Sequence, residues 1–167
     1  MKKRVLVLTM MTILFGFMSI SLIYSQYQLR YGQTVYTFDI ETEDLYFRDI
    51  QIAAFPYSLF ITGHFLEVMG ENKSFDGISY VFSINDTMIL SRSQADDPFT
   101  LPDAANGKQY SNTSSLIEDI RVRKQDSLQV EIHYTVNGEP KDIAGEIKLS
   151  DVTKPFSSIK NKVIHLR

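Results

Sequence analysis

Two periodicities divide the chain. From Val5 to Tyr24 every residue is uncharged and none is proline. At ~1.5 Å per residue, such a helix would reach ~30 Å, the hydrocarbon thickness of a bilayer. Beyond it, apolar and polar positions alternate with period two, the signature of half-buried strands. Leu128–Val136 is the clearest: Leu128, Val130, Ile132, Tyr134 and Val136 share one face, and Gln129, Glu131, His133 and Thr135 the other. Asn137-Gly138 follows, a two-residue turn chemistry that tolerates positive φ at both central positions. That turn predicts Ile132 opposite Ile143, Val130 opposite Gly145, Leu128 opposite Ile147 and His133 opposite Asp142.

Further strands are expected over Val35–Ile40 and over GISYVFSI and TMILSRS, the last two joined at Asn85-Asp86. The latter pair carries apolar residues on both faces, so both strands are expected to be central and covered. The long stretch DLYFRDIQIAAFPYSLFITGHFLEVM splits at Phe55-Pro56, because proline cannot donate to a ladder. Ile120 and Val122 alternate with arginines, so residues 118–149 read as a three-stranded meander in which Val122 faces Leu128. Ser114 with Ile117-Glu118 suggests a helical turn. Residues 94–112, with two prolines and a glycine, read as a long loop of the kind that carries function. Eight or nine short strands with regular turn signals predict a mainly β fold: an antiparallel β-sandwich of immunoglobulin-like architecture, preceded by one N-terminal transmembrane helix.

The flanking charges orient that helix. Lys2, Lys3 and Arg4 precede it and only Arg30 follows nearby. Positive flanks stay cytoplasmic, which places the N-terminus inside and the rest outside. The expected organisation is a membrane anchor or signal peptide over 1–25, a juxtamembrane linker over 26–34 and an extracytoplasmic domain over 35–167. A cleaved signal peptide, released near Ser25, is the alternative and would make the domain secreted. Absence of cysteine excludes disulfides and lipoprotein acylation; with export, it fits a bacterial envelope.

The net charge is −3, and the first 25 residues hold three cations and no acid, so the exported part carries −6. Its last fourteen residues hold Lys154, Lys160, Lys162 and Arg167 without an acid, which leaves −10 on residues 26–153. Such a body disfavours nucleic acid. The basic tail reads as a final strand with lysines toward water, or as a contact for anionic headgroups or an acidic partner through Lys160, Lys162 and Arg167.

Candidate chemistry is sparse. His64, His133 and His165 show no metal-ligand spacing, and there is no GxSxG, SxxK or phosphate-binding glycine loop. Asp96, Asp97, Asp103 and Asn106 hold oxygens of the kind calcium accepts, without the spacing of a known calcium loop. They are the expected partner-contact loop. Glu41 and Glu43 read as exposed acids on one strand face. The twenty Phe and Tyr side chains fall mostly at alternating core positions. No cofactor is implied. The function expected is a membrane-tethered binding module for an envelope or membrane protein, without catalysis. A hydrolase of envelope polymers is the rival, and two carboxylates and a histidine converging in one concave pocket would favour it.

Overall fold

A computed structural model describes residues 2–31, 34–153 and 161–167. They belong to two units, Met1–Gln33 and Thr34–Arg167. The first holds helix α1 (Lys2–Tyr31). Its described side chains, residues 10–25, are all exposed. They include Phe15 at 73% and Ile23 at 70%. Apolar residues circle the helix, so no single face is specialised for a soluble core. Among the described residues, no helix is long and apolar enough to cross a membrane. The spanning helix expected from the sequence therefore does not stand as a structural finding.

The second unit is a β-sandwich-like fold of two sheets. The larger sheet contains β1 (Thr34–Glu41), β2 (Leu45–Ala54), β3 (Ser58–Ile61), β4 (His64–Val68), β7 (Lys108–Ser111), β8 (Ser115–Glu118) and β11 (Lys162–His165). The smaller has the order β10 (Glu139–Lys148), β9 (Ser127–Val136), β5 (Phe75–Ile84), β6 (Thr87–Gln94). Strands therefore exceed the eight or nine expected. The larger sheet is mixed, because β11 lies parallel to β1. An immunoglobulin sandwich places its first two strands beside the fifth and fourth. Here β1 and β2 are followed in the same sheet by β3 and β4, so that finer resemblance is not carried by the strand order.

The β9–β10 hairpin has the predicted register, with Ile132 opposite Ile143, Val130 opposite Gly145, Leu128 opposite Ile147 and His133 opposite Asp142. Asn137 and Gly138 both take positive φ, 52° and 80°. Asn85 and Asp86 do the same in the β5–β6 turn. The break at Phe55-Pro56 separates β2 from β3 as expected, and a second break at Gly63, not expected, separates β3 from β4.

Three expectations are overturned. The meander over 118–149 does not form, because the second neighbour of β9 is β5. Residues 119–126 instead carry the chain from one sheet to the other. Asp119 adopts φ 57°, and the Asp126 carboxylate accepts from Arg123 N (2.8 Å) and Asn85 Nδ2 (3.0 Å) to close the turn. The helical turn near Ser114 is strand β8, paired with β3. Strand β6 is an edge rather than a covered strand, with Met88 59% exposed.

The core lies between the sheets. Tyr36, Phe38, Ile40, Phe47, Ile50 and Ile52 from the larger face Tyr80, Phe82, Ile84, Val130 and Ile132 from the smaller, all nearly free of solvent. One open side, between edge strands β10 and β11, is closed by Leu149 and Val152 of the short helix α2 (Leu149–Val152) and by Leu166. Gly145 makes room for Leu166: a Cβ at that position would collide with the leucine's methyl groups.

Register also defines the two ends of the sandwich. At the near end lie the start of β1, the β2–β3 turn, the end of β8, the β5–β6 turn and the start of β9. At the far end lie the β1–β2 turn, the β9–β10 turn and residues 165–167.

Candidate functional site

A cleft of 540 Å³ opens at the far end. Three separate segments build it: Glu41, Thr42 and Glu43 of the β1–β2 turn, Tyr134 with Lys141–Ile143 of the β9–β10 hairpin, and His165, Leu166 and Arg167 after β11. Its floor is apolar, from Tyr134, Ile143 and Leu166, all largely buried. Its rim is charged with both signs. His165 Nδ1 lies 3.5 Å from Glu41 Oε2, and Lys141 Nζ lies 3.8 Å from Glu43 Oε2. His133 Nδ1 and Asp142 Oδ1 are 2.6 Å apart, the cross-strand pair that the register predicted.

The floor is held from behind. Tyr134 donates its hydroxyl to Asp44 Oδ2 at 2.8 Å, and Lys73 Nζ donates to Asp44 Oδ1 at 2.7 Å. Asp44 is only 5% exposed. Burial alone would push its carboxyl upward, but hydrogen bonds from Lys73 and Tyr134 outweigh burial and hold it below the usual carboxylate range. Burial and the bond to Asp44 both raise the Tyr134 phenol, which therefore remains a donor at neutral pH. A ring fixed this way presents a preformed surface to a ligand.

A shallower groove of 360 Å³ runs from the cleft across the outer face of the smaller sheet. The two share Tyr134, Lys141 and Asp142, and the groove continues past His133, Ser79 and Ser93.

Of the residues singled out in the sequence, Arg167 lines the cleft. Lys162 points elsewhere and lies 3.8 Å from Asp151; Lys160 lies outside the described residues. The 94–112 segment does not gather its acids into one site. Asp97 is structural: its carboxylate accepts from Phe99 N at 2.9 Å and Phe75 N at 3.3 Å, seating the Phe99 ring 5.0 Å from that of Phe75. Asp96 and Asp103 are exposed, and Asn106 occupies a left-handed turn position at φ 58°. Strand β7 occupies the end of the stretch expected to be loop. Among the described residues, no three His, Asp or Glu side chains are grouped to hold a metal ion. No protein-family model, curated protein or solved structure matches this chain.

The sequence reading missed the set around His64. This histidine is fully buried, and its Nε2 lies 3.0 Å from the Tyr80 hydroxyl, which lies 3.1 Å from Ser111 Oγ. Ser111 donates onward to Thr113 Oγ1 at 3.4 Å. Proton direction follows from that last bond: Tyr80 donates to Ser111, so His64 donates Nε2–H to Tyr80. The alternative tautomer would bury an unpartnered N–H at Nδ1, which costs more than an unpartnered lone pair. Burial is the larger cause, and Arg92 the smaller, of a His64 pKa lowered to about 4. His64 is therefore neutral at neutral pH. The set lies inside the core, away from the cleft, and its role is structural.

Proposed function

We propose that this chain is a membrane-tethered extracytoplasmic binding module whose far-end cleft receives a segment of an envelope or membrane protein, without chemistry. The supporting observation is the cleft itself: a fixed apolar floor ringed by charges of both signs, two of whose ion pairs are loose, at 3.5 and 3.8 Å. Loosely paired rim charges can exchange partners at little cost, whereas an apolar floor supplies affinity. The complementary ligand is a chain segment with one apolar side chain flanked by acidic and basic groups. The uncharged run Val5–Tyr24 and the cations Lys2, Lys3 and Arg4 support tethering with the domain outside. Tethering raises the domain's effective concentration against other membrane components.

Cross-linking in intact cells, followed by membrane fractionation, tests this reading. The full-length chain is expected in membranes, joined to a discrete partner. Ile143→Arg, which fills the floor, and the pair Lys141→Glu and Arg167→Glu are expected to abolish the joined species. Asp96→Ala with Asp103→Ala tests the 94–112 loop in the same experiment. Capture that survives the cleft variants and is lost with the loop pair would move the contact to the loop. A processed chain starting after Ser25 in the medium would make this a secreted binder.

The hydrolase reading gains one observation, since Glu41, Glu43, Asp142 and His165 line a single cleft. Against it, the Glu43 and Asp142 side chains are each 79% exposed, and neither has the dry surroundings of a general acid. Release of soluble fragments from purified cell-wall polymer, abolished by Glu43→Gln, would establish hydrolysis in its place.

A further inference from the structure

Exposed apolar side chains in the sandwich unit are not scattered evenly. Four of its residues form one rung across the outer face of the larger sheet: Val35 pairs with Ala53, Ala53 with Phe60, and Phe60 with Leu116. Val35 is 37%, Phe60 36% and Leu116 57% exposed. This rung lies one residue inside the near end, and the β2–β3 turn beside it adds Phe55 at 36% and Tyr57 at 63%. The Arg121 guanidinium sits 4.6 Å from the centre of the Tyr57 ring. Arg123 and Lys124 are exposed just beyond. Among the described residues, none of these three cations makes an ion pair.

We infer that this corner of the sandwich is a lipid-contact surface, in which Phe55, Tyr57, Phe60 and Leu116 enter the headgroup region of a bilayer. The inference rests on the membrane tether proposed above. Thr34 is the first residue of the sandwich unit, so the chain enters it at the near end, and a tether through residues 5–24 is attached at that end. The residue types fit that depth. Tyrosine sits well where an apolar ring meets wet headgroups, phenylalanine and leucine enter the acyl boundary beneath, and an arginine stacked on the tyrosine keeps its charge toward phosphate. The far end has a different character: Glu41, Glu43, Glu71, Asp76, Asp96 and Glu139 lie there, with Lys141 and Arg167 on the cleft rim, and so many ionised groups are costly to dehydrate at headgroup depth. Because Asp86, Glu118, Asp119 and Asp126 share the near end with the cations, insertion is driven by apolar burial, and lipid without net charge suffices.

The test uses the full chain in phosphatidylcholine vesicles. It has no cysteine, so a fluorophore can be placed on Glu118→Cys beside the rung or on Glu139→Cys at the far hairpin. Lipids bearing a nitroxide at the headgroup boundary are expected to quench the label at 118 and leave that at 139 bright. Adding Phe55→Ser, Tyr57→Ser and Leu116→Ser should restore emission at 118 while the protein still floats with the vesicles, and a thermal melt checks that this variant folds. Protein that floats with equal quenching at the two positions overturns the lipid contact and leaves the tether standing. Protein that does not float overturns the tether and this inference with it.

Discussion

His64 shows what one buried side chain does to the whole fold. Its value is 6.5 in an unfolded chain and about 4 in the core, so the unfolded state binds the extra proton first. Stability from this residue is complete above pH 6.5, falls between pH 6.5 and about 4, and is lost below that. The loss is on the order of 3 kcal/mol. Urea melts taken between pH 7 and 4 should show that decline, and His64→Phe should flatten it, at the cost of the bond to Tyr80. A decline of equal size in the variant would assign the acid sensitivity to other groups. Gly145 makes the second case. Gly145→Ala drives a methyl group into the tip of the Leu166 side chain and should destabilise by about 1 kcal/mol, the cost of turning that side chain off its rotamer. In Leu166→Ala the same change should cost far less, because the obstacle is gone; a double-mutant cycle reads that coupling.

The hairpins show which elements are legible in a sequence. In β9–β10 the alternation, the Asn-Gly turn and the matching apolar faces all prescribe one register, and the structure has it. Gly138 has no neighbour within reach of an added Cβ, so Gly138→Ala isolates the backbone cost of positive φ, about 1 kcal/mol. Denaturant midpoints should shift by that amount with an unchanged slope. A larger loss would mean that the turn holds more than its own conformation. Where local signals were thin, the reading failed. Ile120 and Val122 offer only two alternating positions, and nothing nearby reveals that Leu128 seeks Ile84 as its second neighbour. The short strands β7 and β8 were invisible for the same reason, since four residues carry too little periodicity to separate strand from turn. The cleft could not be foreseen, because its walls come from residues 41–43, from 134 with 141–143, and from 165–167. The His64–Tyr80–Ser111 set is equally non-local.

At the scale of the molecule, charge and apolar exposure are segregated along the sandwich. The near end carries the exposed aromatic and aliphatic cluster among charges of both signs, while the mixed-charge cleft and further acids occupy the far end. Under the lipid contact inferred above, the cleft would face away from the lipid. Vesicle-bound protein should therefore show proteolytic cleavage within the far-end segment 69–74 and protection at the exposed Arg121, Arg123 and Lys124. Mass analysis of the early fragments checks this, and preferential trypsin cleavage after Arg121 on vesicles would contradict it.

The parallel pairing of β1 with β11 has a mechanical consequence. Tension applied through the chain before Thr34 and through Arg167 pulls these neighbours in opposite directions along their lengths. The ladder from Phe38–Lys162 to Glu41–His165, extended by Leu166 N to Glu41 O at 2.9 Å, is then loaded in shear, with every rung resisting together. A domain held at one end and tugged at the other would break abruptly at high force, where peeling open rung by rung would yield gently.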